Sequence, residues 1–423
     1  MRSANEPPHP FMTPQETTAP DAALADGWRD GFPTAGTAVQ RPRERPIFQA
    51  PENRWAFSHL RELQPTRNVS RGTGPVAVLP RAERPELDTL AFTLPADGSR
   101  TDWHSALTTI CADGAVVLHR GRIVYERYFG ALDEHGQHMA MSVTKSVVGT
   151  VGAMLAAEGA LDEHAQVRHY IPELAASAFG HATVRQVMDM TTGIDYSEDY
   201  TDPDAGVWKH ARAGQLLPRP AGYAGAEGYR QFLQTVQGQG THGEAFAYRT
   251  VNTDVLGWLI SRVAGQPLAR VLGERIWSRL GAEQDAAFAV DGQGAEFAGG
   301  GLCTGLRDLA RLGEMMRLGG AFNGTQIVPE AVVADIRRGA DPARFALAGY
   351  TRLAGWSYRN MWWVAHDARR TFTAQGIHGQ ALHIDPEAEM VVARFASHPL
   401  AANAHLPTSM HAFRALAEHL MRG

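Results

Sequence analysis

SVTKSVVGTVGAMLAAE, residues 142–158, sets Val147, Val148, Val151, Met154 and Leu155 on one face at helical period and is followed by Gly159, a stop signal. The pattern predicts a buried helix over 143–158, with Gly149, Gly152 and Ala153 small enough for its neighbours to approach closely. Ser142 and Lys145 open it. At a spacing of three they share a face one turn apart, so hydroxyl and amine can meet. A helix N-terminus also presents unpaired N–H groups, which favour developing negative charge and can supply one donor of an oxyanion hole.

A serine three residues before a lysine is common in an average protein, but this chain is not average. Of its 40 basic residues only Lys145 and Lys209 are lysine. Arginine keeps its proton at every working pH, whereas a desolvated lysine can lose one and act as a base. A chain built on arginine thus carries a lysine where a proton acceptor is needed.

Outward from this helix, AVVLHRGRIVYERYFG from residue 115 reads as two strands around a turn at Arg120-Gly121. Residues 160 to 340 are mostly helical by period. Val255, Leu256, Leu259, Ile260 and Val263 form one face closed by Gly265, and Leu306, Leu309, Leu312 and Met316 form another after a cap at Thr304. Strands return in TFTAQGIHGQALHID and EMVVARFA, and a last helix runs from about His405 to Met421. The order predicts a sheet built from both ends of the chain, about 110–130 and 355–397, with a helical lobe at about 160–340 between them. Fourteen of the 24 prolines fall in residues 1–95. Residues 1–85 therefore read as a Pro-rich arm, and 86–423 as the functional domain.

The net charge of -5 gives no reason to expect nucleic acid. Cys111 and Cys303 are too few for a disulfide framework or a four-cysteine zinc site, and read as buried thiols. No run approaches the ~20 apolar residues of a membrane span, and the first residues lack the apolar core of a secretory signal. The expected location is the cytoplasm. Gly-x-Ser-x-Gly, His-Glu-x-x-His and Gly-x-x-x-x-Gly-Lys are all absent, which leaves an α/β-hydrolase elbow, a zinc protease site and nucleotide hydrolysis without support.

SVTKS on a buried helix, the later AYRTVNTDVLGWLI, the segment GGGLCTGLRDLARLG and the C-terminal GIHGQ together resemble the serine β-lactamase-related family. Within it the likeness is greatest to 6-aminohexanoate-dimer hydrolases and related carboxylesterases, from about residue 110 to the end. The resemblance implies an α/β (α+β) fold of the β-lactamase/transpeptidase type: an antiparallel sheet flanked by helices, plus a helical lobe. It makes Ser142 the nucleophile, Lys145 its base and Tyr248 a proton shuttle, with Thr250 where lactamases carry Asn. His378, Gly379 and Gln380 would replace the Lys-Thr-Gly of lactamases on an edge strand. A neutral His378 there disfavours a β-lactam or D-alanyl peptide.

The backbone at Gln380 and Ala381 would complete the oxyanion hole with the N–H of Ser142, and Tyr200 would hydrogen-bond the leaving amide nitrogen. The expected activity is hydrolysis of linear amides or carboxylic esters, 6-aminohexanoate-oligomer-like, through an acyl-enzyme. Alternatives are a β-lactamase or D-alanyl-D-alanine peptidase, or a catalytically silent ligand-binding relative. No metal or organic cofactor is implied. The expected partner is a small-molecule amide or ester substrate, with no nucleic acid and no membrane. A homodimer is left open.

Overall fold

The computed structural model describes residues 47–94, 96–402 and 405–423. Seven antiparallel strands form the main sheet. From the first half of the chain come β2 (Ala112–His119) and β3 (Arg122–Tyr128), joined at Arg120-Gly121 as the hairpin pattern predicts. From the second half come β7 (Ser357–Arg359), β8 (Trp362–Val364), β9 (Phe372–Gly376), β10 (Gln380–Asp385) and β11 (Met390–Ala396). The order β7-β8-β9-β10-β11-β2-β3 brings the two ends of the chain together at the β11–β2 pair.

Both faces are covered, so β10 and β11 are buried at every position and do not alternate. Helices α1 (Trp103–Thr109) and α6 (Leu406–Met421) cover one face, their Trp103, Leu107, Phe413, Leu416 and Leu420 packing on Val117, Val392 and Met390. On the other face lie α2 (Val143–Ala157) and α5 (Leu306–Arg317). The expected helix over 143–158 is thus present, wedged between the sheet and α4 (Val251–Ala264). Glycine is required in it: a Cβ on Gly149 would sit 2.2 Å from the carbonyl oxygen of Asn360. Along the chain, the helices of the lobe, including α3 (Gly206–Ala213) and α4, come between the strands of the first half and those of the second. The cap expected at Thr304 is not made; Gly305 occupies the N-cap of α5 and Thr304 ends a strand.

Residues 1–85 are read from the sequence as a Pro-rich arm. From residue 47 onward the chain is built into the body, while residues 1–46 lie outside the described residues. A second sheet, in the order β1-β5-β6-β4, contains β1 (Thr66–Val69), β4 (His138–Met139), β5 (Ala286–Ala289) and β6 (Leu302–Thr304). Ile47, Trp55, Phe57 and Leu60 are buried beside it. The prolines at 51 and 65 fall outside the short helices and strand of this segment, and its apolar anchors outweigh its poor propensity.

Candidate active site

Strand β4 delivers the chain to the N-terminus of α2 through Met141, a non-glycine residue held at φ +47°. This left-handed position turns the chain sharply before Ser142, which takes the N-cap of α2. Ser142 is 9% exposed and Lys145 1%. The Lys145 ammonium donates to Ser142 Oγ at 2.8 Å and to the carbonyl oxygen of Gly299 at 2.5 Å. The spacing of three read from the sequence therefore gives direct contact.

Tyr248, just before α4, is buried with its hydroxyl on the Ser142 side of the site. Its ring stacks on Trp363 at 5.4 Å, and Lys145 Nζ lies 5.2 Å from its centre. The three groups meet at one point, and their protonation tendencies diverge. Burial pulls the Lys145 ammonium well below the ordinary lysine range, partly offset by Glu198 and Asp254. Burial and the Glu198 charge push the Tyr248 phenol well above its ordinary range. A lysine that gives up its proton readily beside a tyrosine that keeps it is a base next to an acid.

Two carboxylates found here were not singled out from the sequence. Asp254, on α4, accepts the Gly299 N–H at 3.1 Å, and the carbonyl of the same glycine holds Lys145. Only glycine fits that link, since a Cβ on Gly299 would come within 2.5 Å of Thr250 Cγ2 and 3.0 Å of Asp254 Oδ2. Burial pushes the Asp254 carboxyl upward. Behind it, His210 Nε2 lies 3.5 Å from Asp254 Oδ2, and burial depresses that imidazole to about 3, so it is neutral. The second carboxylate, Glu198, accepts the Tyr200 hydroxyl at 2.8 Å, the Thr250 N–H at 2.9 Å and the Thr250 hydroxyl.

These bonds tie Tyr200 and Thr250 to one carboxylate. Thr250 spends both donors on Glu198 and sets its methyl group beside Gly299. Tyr200 donates to Glu198 and is left with its phenolic oxygen as an acceptor. Such an oxygen can still receive an amide N–H.

His378-Gly379-Gln380 is not on an edge strand. β9 and β10 are interior, and Ile377–Gly379 is the turn that joins them, with His378 at φ +61° and Gly379 at φ +98°. The His378 ring packs against Phe48 and Phe57, its Nδ1 pairs with the His398 carbonyl at 2.6 Å, and burial depresses it to about 4. It is a neutral wedge against the N-terminal segment.

The Gln380 amide is consumed by the backbone of Ile377 and Ala396, and Gly379 O accepts Arg394 Nε. Ala381 sits in the ladder between Gln375 and Arg394, on the α6 face of the sheet. The end of β9 abuts the residue before Ser142: a Cβ on Gly376 would lie 3.0 Å from Met141 Cβ. The amide that follows, Ile377 N–H, donates to no backbone group among the described residues, and nor does Ser142 N–H.

Among the described residues, no three His, Cys, Asp or Glu side chains gather as metal ligands do, and no helix is long and apolar enough to cross a membrane.

Comparison with known proteins agrees with this architecture. The family model described as Beta-lactamase matches residues 109–411. The 6-aminohexanoate-dimer hydrolase of Paenarthrobacter ureafaciens is 37% identical over 365 residues, covering 86% of this chain and 90% of that one. A solved Bacillus anthracis structure, "Putative 6-aminohexanoate-dimer hydrolase", superposes with a TM-score of 0.83 at 31% identity, over 90% of this chain and 97% of the other. A family VIII carboxylesterase shares the fold at a TM-score of 0.55 and 16% identity, over 81% and 99% of the two chains.

Proposed function

The chain belongs to the beta-lactamase family, has its fold and is a hydrolase, and we propose that it cleaves a linear amide of the 6-aminohexanoate-oligomer kind, or a carboxylic ester of similar shape, through an acyl-enzyme on Ser142. The observation that carries this reading is the 2.8 Å contact between Lys145 Nζ and Ser142 Oγ.

In the proposed reaction, neutral Lys145 takes the Ser142 proton as Oγ attacks the carbonyl carbon. The N–H groups of Ser142 and Ile377 receive the negative charge that develops on the carbonyl oxygen. Tyr248 gives its proton to the departing nitrogen or oxygen, and Tyr200 accepts the N–H of an amide leaving group. Water then releases the acyl group by the reverse sequence. Identity to the Paenarthrobacter ureafaciens enzyme, named as a 6-aminohexanoate-dimer hydrolase, supports the amide as substrate.

A hydrolysis panel of 6-aminohexanoate dimer, a short-chain p-nitrophenyl ester and nitrocefin tests the proposal. Turnover of the dimer and the ester is expected, with nitrocefin far behind, because a β-lactam asks for a cationic carboxylate clamp. Nitrocefin turnover matching the ester would favour the lactamase alternative, and failure of a fluorophosphonate to label Ser142 would favour a silent relative.

The assignment of Lys145 as base makes a separate prediction at Asp254. In its ionised form, which burial makes harder to reach, Asp254 raises the Lys145 pKa against the effect of burial. Asp254→Asn keeps an oxygen for the Gly299 N–H and removes the charge, so Lys145 should become neutral at lower pH. The acidic limb of the kcat/KM profile is therefore expected to move to lower pH. An unmoved limb in a folded variant would mean that Asp254 does not act on Lys145.

A further inference from the structure

On the α6 face of the main sheet, three neighbouring strands set Gln375, Ala381 and Arg394 in one row: Gln375 pairs with Ala381, and Ala381 with Arg394. The small alanine between two long polar side chains leaves a cavity of about 20 Å³ under His405, Ser409 and Phe413. Arg394 is 4% exposed. Its Nε donates to Gly379 O and its Nη1 to Ser409 Oγ, both at 2.9 Å, and the guanidinium lies 5.4 Å from the centre of the Phe413 ring. No carboxylate among the described residues pairs with it. Around the same cavity, both amide atoms of Gln375 and Nε2 of His405 are buried without a hydrogen-bond partner among the described residues.

A guanidinium does not give up its proton near neutral pH, and two of its five N–H groups are used here. A buried charge is costly unless it is paired, and carbonyl and hydroxyl dipoles only partly offset that cost. Water could satisfy an amide and an imidazole, but it brings no countercharge. The space matches one water-sized centre and is too small for sulfate or an organic acid. We propose that this cavity binds a single small monovalent anion, chloride in size and charge, held by the guanidinium of Arg394 and the amide N–H of Gln375. Because Arg394 also holds Gly379, the bound ion would brace the turn that carries the Ile377 amide, together with the seat of α6.

Crystals of the full chain grown in sodium bromide and measured at the bromine absorption edge should show one anomalous peak within hydrogen-bonding range of Arg394 and Gln375. In parallel, thermal unfolding is followed at constant ionic strength as chloride replaces gluconate, an anion too large to enter. A ligand that binds only the folded state stabilises it by mass action. Tm is therefore expected to rise with chloride above its dissociation constant, less steeply in Gln375→Leu, and not at all in Arg394→Met. Should Arg394→Met fail to fold, the parent and Gln375→Leu carry the test. A cavity without a bromide peak overturns the proposal, as do coincident Tm values in chloride and gluconate. A peak without any chloride dependence means binding at crystal concentration only and overturns it equally.

Discussion

Lys145→Arg is expected to abolish turnover of amides and esters alike, by a factor of a thousand or more, and alkaline pH should not restore it. The loss of one essential acid–base group typically costs about 10²–10⁴ in rate, and this substitution removes it in two ways. A guanidinium stays protonated above pH ~12, so it cannot accept the Ser142 proton in any buffer the fold tolerates. Its planar head is also larger than the ammonium that now fits between Ser142 Oγ and Gly299 O, at 2.8 and 2.5 Å.

The chain supplies its own control in Lys209, the only other lysine. Lys209 is exposed on α3. Lys209→Arg should leave kcat/KM unchanged and shift stability by less than about 0.5 kcal/mol. The measurement is kcat/KM for a p-nitrophenyl ester across pH 6 to 10, with circular dichroism to establish folding. Parent-like activity in both variants would reduce Lys145 to a structural cation.

The lysine and its serine were legible because both lie on one regular element whose apolar period and glycines announce it. The sheet was legible for a related reason: the Arg120-Gly121 turn and the returning apolar runs are local signals. Asp254 and Glu198 were not. Every residue of α4 from Val251 to Ile260 is buried, so Asp254 stands in a polar run, Asn252-Thr253-Asp254, that reads as a solvent face until the surrounding elements close over it. Its place six residues after Tyr248, nearly two helical turns on, is the one hint the sequence offered.

The turn at Ile377–Gly379 failed for the opposite reason. GIHGQ carries two glycines around a histidine, a turn signal, but the likeness to the Lys-Thr-Gly motif set it on an edge strand, whereas the structure makes it the turn between two interior strands. In the N-terminal segment, average composition pointed to an arm, whereas Trp55, Phe57 and Leu60 decide the packing.

Tyr248→Phe carries the other large effect, and it separates two roles a tyrosine could have beside this serine. The substitution keeps the ring stacked on Trp363 and the ring face toward Lys145, so the fold and the seat of the lysine should survive. What is lost is one hydroxyl. Burial and the Glu198 charge hold that phenol protonated, which makes it a donor to the leaving group and a poor acceptor from Ser142. A linear amide expels a nitrogen that must be protonated as the C–N bond breaks, whereas p-nitrophenolate leaves as an anion. The expected result is a fall of about a hundredfold or more in turnover of 6-aminohexanoate dimer, the size usual for lost general acid help, with a much smaller fall for the p-nitrophenyl ester. Equal losses on both substrates would mean that Tyr248 serves nucleophile activation instead. Parent-like turnover of the dimer in a folded variant would remove the hydroxyl from the reaction, and protonation of the leaving nitrogen would then have to come from Lys145 alone.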